Sequence, residues 1–344
     1  MTNKKILIIY TGGTIGMTEQ YPGGPLTPFD FQNILEHLPE LKKLTETIDI
    51  APFPHPLDSS DVDPIVWTKI ATIINDHYTD YDGFVVLHGT DTMAYTASAL
   101  SFMLRNLNKP IIFTGSQLPI GKIRTDGKEN LITAIEIACA ERSHQPLIQE
   151  VTICFGAHLY RANRTTKFSA EGFEAFQSPN FPSLAQVGVH IQFREELLLQ
   201  NNTSLLFNEK LEPNIGIIKI FPGIQNHYFD ALSQSNSIQG LIIESYGSGT
   251  IPQKEWLLRG IEQLIEKGVT ILNISQCPQG LIDHSLYKNA QKLFEMGVLS
   301  GQDMTTETAV AKMMHVLSLP LSREEKNNLL ITSLAGELTP ARLH

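Results

Sequence analysis

Three cysteines in 344 residues, Cys139, Cys154 and Cys277, are an odd number, too few for a disulfide framework, and none is spaced as a metal-ligand pair. They read as buried thiols in a reducing cytoplasm. Long apolar runs are also missing, and nothing approaches the roughly 20 residues that a bilayer-spanning helix needs. The start of the chain passes from Met1-Thr2-Asn3-Lys4-Lys5 straight into the short run Ile6–Tyr10. That run is too short for a signal-peptide core and has no small-residue cleavage site, so a cytoplasmic protein is expected. Basic residues are scarce, with 26 Lys and Arg against 36 Asp and Glu for a net charge of −10, and no basic cluster marks a nucleic-acid surface. Phosphate neutralisation supplies most nucleic-acid affinity, so that class of partner is excluded and a small neutral or zwitterionic substrate fits better. No internal repeat, low-complexity stretch or His/Cys/Asp/Glu group with metal spacing is present.

The 42% hydrophobic content is that of a globular protein, long enough for two domains that each bury a core. Short β-branched or aromatic runs alternate with amphipathic stretches, the pattern of βα units around a mostly parallel sheet. The expected strands of the first half are Ile6–Tyr10, Ile48–Phe53, Phe84–His88, Pro110–Thr114 and Val151–Phe155. Asp63 can cap a helix with Pro64 at its first position and Val66, Ile70, Ile73 and Ile74 on one face. Further helices are expected near Met93–Asn106 and Glu129–Arg142. From Arg194 to Asn214 the pattern dissolves, which predicts a larger N-terminal α/β domain over 1–193, a linker over 194–214 and a smaller C-terminal α/β domain over 215–344. In the latter, strands are expected near Ile215–Phe221, Gly240–Ser245 and Val269–Ser275. Its helices are expected near His227–Gln234, Gln253–Glu266, Ser285–Met296 and Thr305–Ser318.

Two stretches bring hydroxyls to the end of a buried strand. Thr11-Gly12-Gly13-Thr14-Ile15-Gly16 follows the first run, and His88-Gly89-Thr90-Asp91-Thr92 follows the run ending at Leu87. In an open parallel sheet, ligands bind at the carboxyl ends of the strands. The glycine spacing matches neither the dinucleotide fingerprint nor the nucleotide-binding loop with its Lys and Ser/Thr. Thr14 is the sharper feature, because flanking glycines leave its hydroxyl unshielded; the plain alternative is that Thr14 caps the next helix. One of Thr90, Asp91 and Thr92 is expected to cap the helix near Met93. A single cap does not require the whole run, and Asp91 stands where it could bind a substrate ammonium.

Amide hydrolysis needs a nucleophile, a route for its proton and stabilisation of an oxyanion. No Ser–His pair or reactive Cys offers itself, so a lysine beside an acid is the natural base. Lys167, in Arg164-Thr165-Thr166-Lys167, follows the strand Val151–Phe155 in the same domain. A lone lysine in a basic loop is more often solvated surface. Thr14, Ser59, Thr90 and Lys167 nonetheless all follow expected strands of one domain, where one sheet edge could gather them.

Taken in order, these motifs resemble those of bacterial cytoplasmic type I L-asparaginases of the asparaginase/glutaminase family. Leu87 to Tyr95 and Thr11 to Gly16 match the family's two threonine signatures; Asp58-Ser59-Ser60-Asp61, Arg164 to Lys167, Ser245-Tyr246-Gly247 and Gly336-Glu337-Leu338-Thr339-Pro340 extend the match over nearly the whole chain. The resemblance implies L-asparagine hydrolysis to L-aspartate and ammonia through a threonine acyl-enzyme, without metal or organic cofactor. It implies a homotetramer, a dimer of dimers with sites at the dimer interface. Thr14 is implied as nucleophile, and Thr90, Lys167 and Asp91 as the proton-handling group. Asp91 is also implied to hold the α-ammonium, with Asp58, Ser59 and Ser60 at the α-carboxylate end and Tyr21 as the tyrosine of a closing loop.

Two positions depart from the family pattern. Thr250 stands where many members carry an asparagine donated across the dimer, and threonine has a shorter reach, which bears on Asn against Gln selectivity. Some members bind a second, activating asparagine through an arginine and a Gln-Cys pair; here Gln276-Cys277 is present, but Glu244 replaces the arginine and cannot clamp a carboxylate. Three rival readings share the residues: a broad glutaminase-asparaginase, the asparaginase-like subunit of a tRNA-dependent amidotransferase, which is expected to carry an extra N-terminal domain, and a non-catalytic amino-acid sensor.

Overall fold

The computed structural model describes residues 2–19, 26–28, 38–235, 237–283 and 288–339. Tyr21 and Pro340 lie outside the described residues, as does the first part of the helix expected near Ser285–Met296. The chain divides into two compact units, Met1–Glu209 and Lys210–His344.

The first unit is built on strands β1 (Thr2–Gly12), β2 (Thr45–Leu57), β3 (Gly83–Leu87), β4 (Ile111–Thr114) and β5 (Val151–Phe155). They lie parallel in the spatial order β2-β1-β3-β4-β5. Helices α1 (Pro64–Asp76), α2 (Met93–Met103) and α3 (Gly127–Ala138) make the crossovers from β2 onward. Every residue of β3, β4 and β5 is buried, as expected of strands covered on both faces. Because β2 flanks β1 on one side and β3 on the other, the strand order reverses between β1 and β3. Their carboxyl ends form the switch point where such sheets open a crevice.

Three antiparallel strands, β6 (His158–Arg161), β9 (Ala185–Val187) and β10 (Ile191–Phe193), widen the sheet to eight strands among the described residues. Between β6 and β9 a short hairpin pairs β7 (Thr166–Lys167) with β8 (Phe176–Gln177). Lys167 therefore stands beyond an antiparallel return rather than directly after β5.

Asp63 caps α1 by accepting from the backbone N–H groups of Ile65 and Val66 at 2.9 and 3.1 Å. The buried face of α1 is Trp67, Ile70, Ala71 and Ile74. It is rotated from the expected stripe because Trp67 offers more apolar area than Val66. Helix α2 is buried almost all round and stops at Met103, three residues short of expectation, because Leu104–Arg105 pairs antiparallel with Leu206–Phe207. Parts of 194–214 are fastened to this unit. Arg161 donates to Glu150 at 2.6 Å and to the Leu197 carbonyl at 2.7 Å, while Glu150 accepts from Leu199 N–H at 2.9 Å.

The second unit is a parallel sheet of β11 (Ile215–Lys219), β12 (Gly240–Ser245), β13 (Thr270–Ser275) and β14 (Leu299–Ser300), in that spatial order. Around it lie α4 (His227–Gln234), α5 (Glu255–Glu266), α6 (Lys288–Glu295), α7 (Thr306–Ser318) and α8 (Arg323–Ile331). Leu241, Ile243, Leu257, Ile261 and Phe229 belong to its core. Helix α8 was not expected from the sequence, although Ser322 and Glu325 form a capping box at its start. Lys312 of α7 and Glu337, both fully buried, pair at 2.7 Å. Lys312 also donates to the carbonyls of Leu330 and Thr332, and Glu337 accepts from the N–H groups of Leu334 and Ala335. Burial pushes the Lys312 ammonium down while Glu337 pulls it back.

Candidate active site

The loops after β1, β2 and β3 are pressed together by missing side chains. Gly13, at φ 85°, has no room for a Cβ, which would fall 2.5 Å from the Gly89 nitrogen; one on Gly89 would fall 2.6 Å from the Ser59 hydroxyl oxygen. The register of β1 and β2 slips between Tyr10↔Pro52 and Gly12↔Leu57, and Gly13 N–H donates to the Leu57 carbonyl at 3.1 Å. That slip carries Asp58 and Ser59 alongside the Thr14 turn. Thr11 donates to the Leu87 carbonyl at 2.9 Å, tying the β1 end to the β3 end.

Thr14 opens a short 3-10 turn, Thr14–Gly16, whose cap position is Gly13 and carries no side-chain cap. Thr14 is thus not a cap, and among the described residues its hydroxyl has no hydrogen-bond partner. The Tyr10 hydroxyl, its pKa pushed up to about 12 by burial, donates to the Gly16 carbonyl at 3.2 Å and holds the turn from below.

His88 anchors the loop after β3. It is fully buried, and burial pushes its pKa down to about 4, so the ring is neutral at ordinary pH. Nδ1 lies 2.7 Å from the Gly89 carbonyl and Nε2 3.0 Å from the Thr96 hydroxyl. A carbonyl only accepts, so Nδ1 carries the hydrogen and Nε2 accepts. Thr92 stands at the cap position of α2, but its hydroxyl does not cap: it donates to the Ser59 carbonyl at 2.6 Å. One of the three cap candidates is spent instead on joining the loop after β3 to the loop after β2.

Lys167 completes the group. Its ammonium lies 2.8 Å from the Thr90 hydroxyl and 2.6 Å from Asp91 Oδ1. The lysine side chain is 16% exposed and that of Asp91 64%, so the pair faces open space from a partly dried floor. Asp58 Oδ1 accepts from the N–H and hydroxyl of Ser60 at 2.9 and 2.8 Å, which holds its carboxyl below the usual range and keeps it ionised. The first unit therefore brings Thr90, Asp91 and Lys167 into contact, with Thr14, Asp58, Ser59 and Ser60 on the adjoining loops. A threonine hydroxyl held against an ammonium, with a second threonine on the neighbouring loop unpartnered among the described residues, suits acyl transfer. Among the described residues no group of three or more His, Cys, Asp and Glu side chains is placed to hold a metal ion. No helix among them is long and apolar enough to cross a membrane.

Sequence reasoning missed the loop after β4, Gly115 to Leu118, which reaches the same end of the sheet. Its place after a fourth parallel strand was the available signal. Gln117 Oε1 lies 3.4 Å from the Thr90 hydroxyl.

The family model for the N-terminal domain of asparaginases matches residues 5–199, and that of the glutaminase/asparaginase C-terminal domain matches residues 214–330. The chain belongs to the asparaginase family. L-asparaginase 1 of Escherichia coli is 41% identical over 343 residues, covering 99% of each chain. The 60 kDa lysophospholipase of Mus musculus is 38% identical over 98% of this chain and 63% of its own length. The crystal structure of L-asparaginase I from Vibrio cholerae superposes with a TM-score of 0.87 at 38% identity, over 98% of this chain and 100% of that one.

In this asparaginase chain the two departures in the second unit have local partners. Glu244 accepts from the Thr306 hydroxyl at 2.6 Å and lies 3.7 Å from the Lys219 ammonium. The Thr250 hydroxyl turns back to the Tyr246 carbonyl at 3.3 Å.

Proposed function

We propose that the chain hydrolyses the side-chain amide of L-asparagine to L-aspartate and ammonia. The observation that carries this reading is the Lys167 ammonium seated between Thr90 and Asp91 at the switch point of the sheet. Thr14 Oγ1 attacks the amide carbon, the carbon–nitrogen bond breaks, and the hydroxyl hydrogen ends on the leaving ammonia. Water then adds to the β-aspartyl ester and Thr14 regains its hydrogen. Thr90 and Lys167 pass the proton, with Asp91 balancing the lysine charge and its exposed oxygen holding the substrate α-ammonium. Ser59 and Ser60 take the α-carboxylate, while Asp58, bound to Ser60, shapes that turn. Tyr21 is assigned to the loop that closes over the substrate.

The family resemblance supports a cytoplasmic homotetramer, a dimer of dimers with each site completed across a dimer. Glu244, already engaged by Thr306 and Lys219, supports an enzyme without asparagine activation; sigmoidal kinetics in asparagine that disappear in a Glu244 variant are the contrary result.

The test is ammonia release from L-asparagine and L-glutamine by the protein and by Thr14→Ala, with sedimentation run alongside. Faster release from asparagine, abolished in Thr14→Ala, is expected. Equal rates on both amides favour the broad glutaminase-asparaginase, and no release from either overturns the hydrolase reading.

A further inference from the structure

We infer that Gln117 is a positioning residue that orients the Thr90 hydroxyl and sets where its hydrogen points in the resting site; this rests on the hydrolase reading above. The loop carrying it is held from several sides. The Asp126 carboxylate accepts from the Gln117 N–H at 2.9 Å and the Leu118 N–H at 3.1 Å. Ser116 and Thr125 both donate to the Leu118 carbonyl, at 2.6 and 3.0 Å, and Asn130 donates to the Gly115 carbonyl at 3.0 Å. So much bonding around one turn leaves the Gln117 Cα little freedom.

The side-chain amide is fixed as well. Its nitrogen donates to the carbonyls of Gly172 at 3.0 Å and Ala170 at 3.2 Å. Both partners are pure acceptors, so the assignment of nitrogen and oxygen is settled by chemistry, and Oε1 is turned to Thr90. Thr90 Oγ1 accepts from the Lys167 ammonium at 2.8 Å. An ammonium has no lone pair to offer, so the Thr90 hydrogen cannot point at it and needs another acceptor. Gln117 Oε1, at 3.4 Å, stands in that direction. The contact is long, so it aims the hydrogen without holding it firmly. A substrate or water that comes closer can take it over. Ala170 and Gly172 lie in the turn between β7 and β8, so the same amide also fastens the Lys167 hairpin to Thr90.

The experiment compares wild type, Gln117→Met and Gln117→Glu in ammonia release from asparagine, with kcat, KM and a melting curve for each across pH. Methionine fills similar space but neither donates nor accepts usefully. We expect its kcat to fall about tenfold to a hundredfold with KM within about twofold, the scale of a misdirected proton step. A glutamate carboxylate cannot donate to two carbonyls, but a protonated glutamic acid can donate to one and turn its other oxygen to Thr90. Its kcat relative to wild type is therefore expected to recover as pH falls, a recovery that Gln117→Met lacks. Wild-type kcat in Gln117→Met, or a Gln117→Glu profile parallel to wild type, overturns the inference while wild-type activity leaves the hydrolase reading standing. A loss confined to KM or to melting also overturns it. Wild type that releases no ammonia removes the reading on which the inference rests.

Discussion

The two units end their parallel strands in opposite ways. In the second unit the polar side chains at the strand ends are spent on their own backbone: Ser245 donates to the Ile274 carbonyl, Ser275 to Gly247, and Gln276 to Ile220 and Glu244. In the first unit Thr14 and the outer oxygen of Asp91 are left unspent among the described residues, while buried partners such as His88 and Tyr10 do the holding. The same kind of sheet makes a scaffold or a reaction centre according to whether its terminal polar groups are used up.

The hardest test of that contrast is Lys167→Met. It removes the charge that touches both Thr90 and Asp91, and ammonia release is expected to drop about a thousandfold. A loss of less than tenfold breaks the comparison. Next comes Gly89→Ala, whose new Cβ meets the Ser59 side chain at 2.6 Å. Forced apart, the loops should lose about a hundredfold in kcat and about 1–3 kcal/mol of stability, read by urea melts.

A smaller effect tests the support beneath the loop. The His88 pKa lies at about 4 in the fold, below its ordinary 6.5. The unfolded chain therefore binds a proton first as pH drops. The contribution of neutral His88 is present in full above pH 6.5 and is lost as pH falls towards 4, by about 3 kcal/mol at most. Melting temperatures over that window should fall for wild type and fall less for His88→Gln. Smallest is Thr306→Val in the second unit, which frees Glu244 from its hydroxyl partner. It should cost about 1 kcal/mol by denaturant titration and leave kcat within about twofold; a large activity loss would show that the second unit's strand ends also act in the reaction.

Much of the scaffold was legible because its signals are local. The runs that became β1, β3 and β5 are short, apolar and bounded by glycine or polar residues, and Asp63-Pro64 and Thr305 mark helix starts by chemistry that acts within three residues. The threonines were visible for the same reason, as polar residues directly after buried strands. What stayed hidden depends on distant partners. The end of α2 is set by Leu206–Phe207, about a hundred residues on in sequence. The approach of Lys167 to Thr90 depends on the antiparallel return of β6, which carries no helix-versus-strand signal of its own. Thr92, one of three residues that could have capped α2, became a cross-link to Ser59, since a hydroxyl serves whichever acceptor the fold brings nearest. Gln117 gains its meaning only beside the β7–β8 turn, where its amide meets the Ala170 and Gly172 carbonyls.

The buried Lys312–Glu337 pair has a consequence for how the chain is made. During synthesis Lys312 emerges well before Glu337, and until the later residue is threaded into place the ammonium has no carboxylate to meet. Burying it without that partner costs about 3–5 kcal/mol. A chain deprived of Glu337 is therefore expected to keep α7 loosely docked, with the Lys312 ammonium turned to water, so a single carboxylate decides whether that part of the second unit can close.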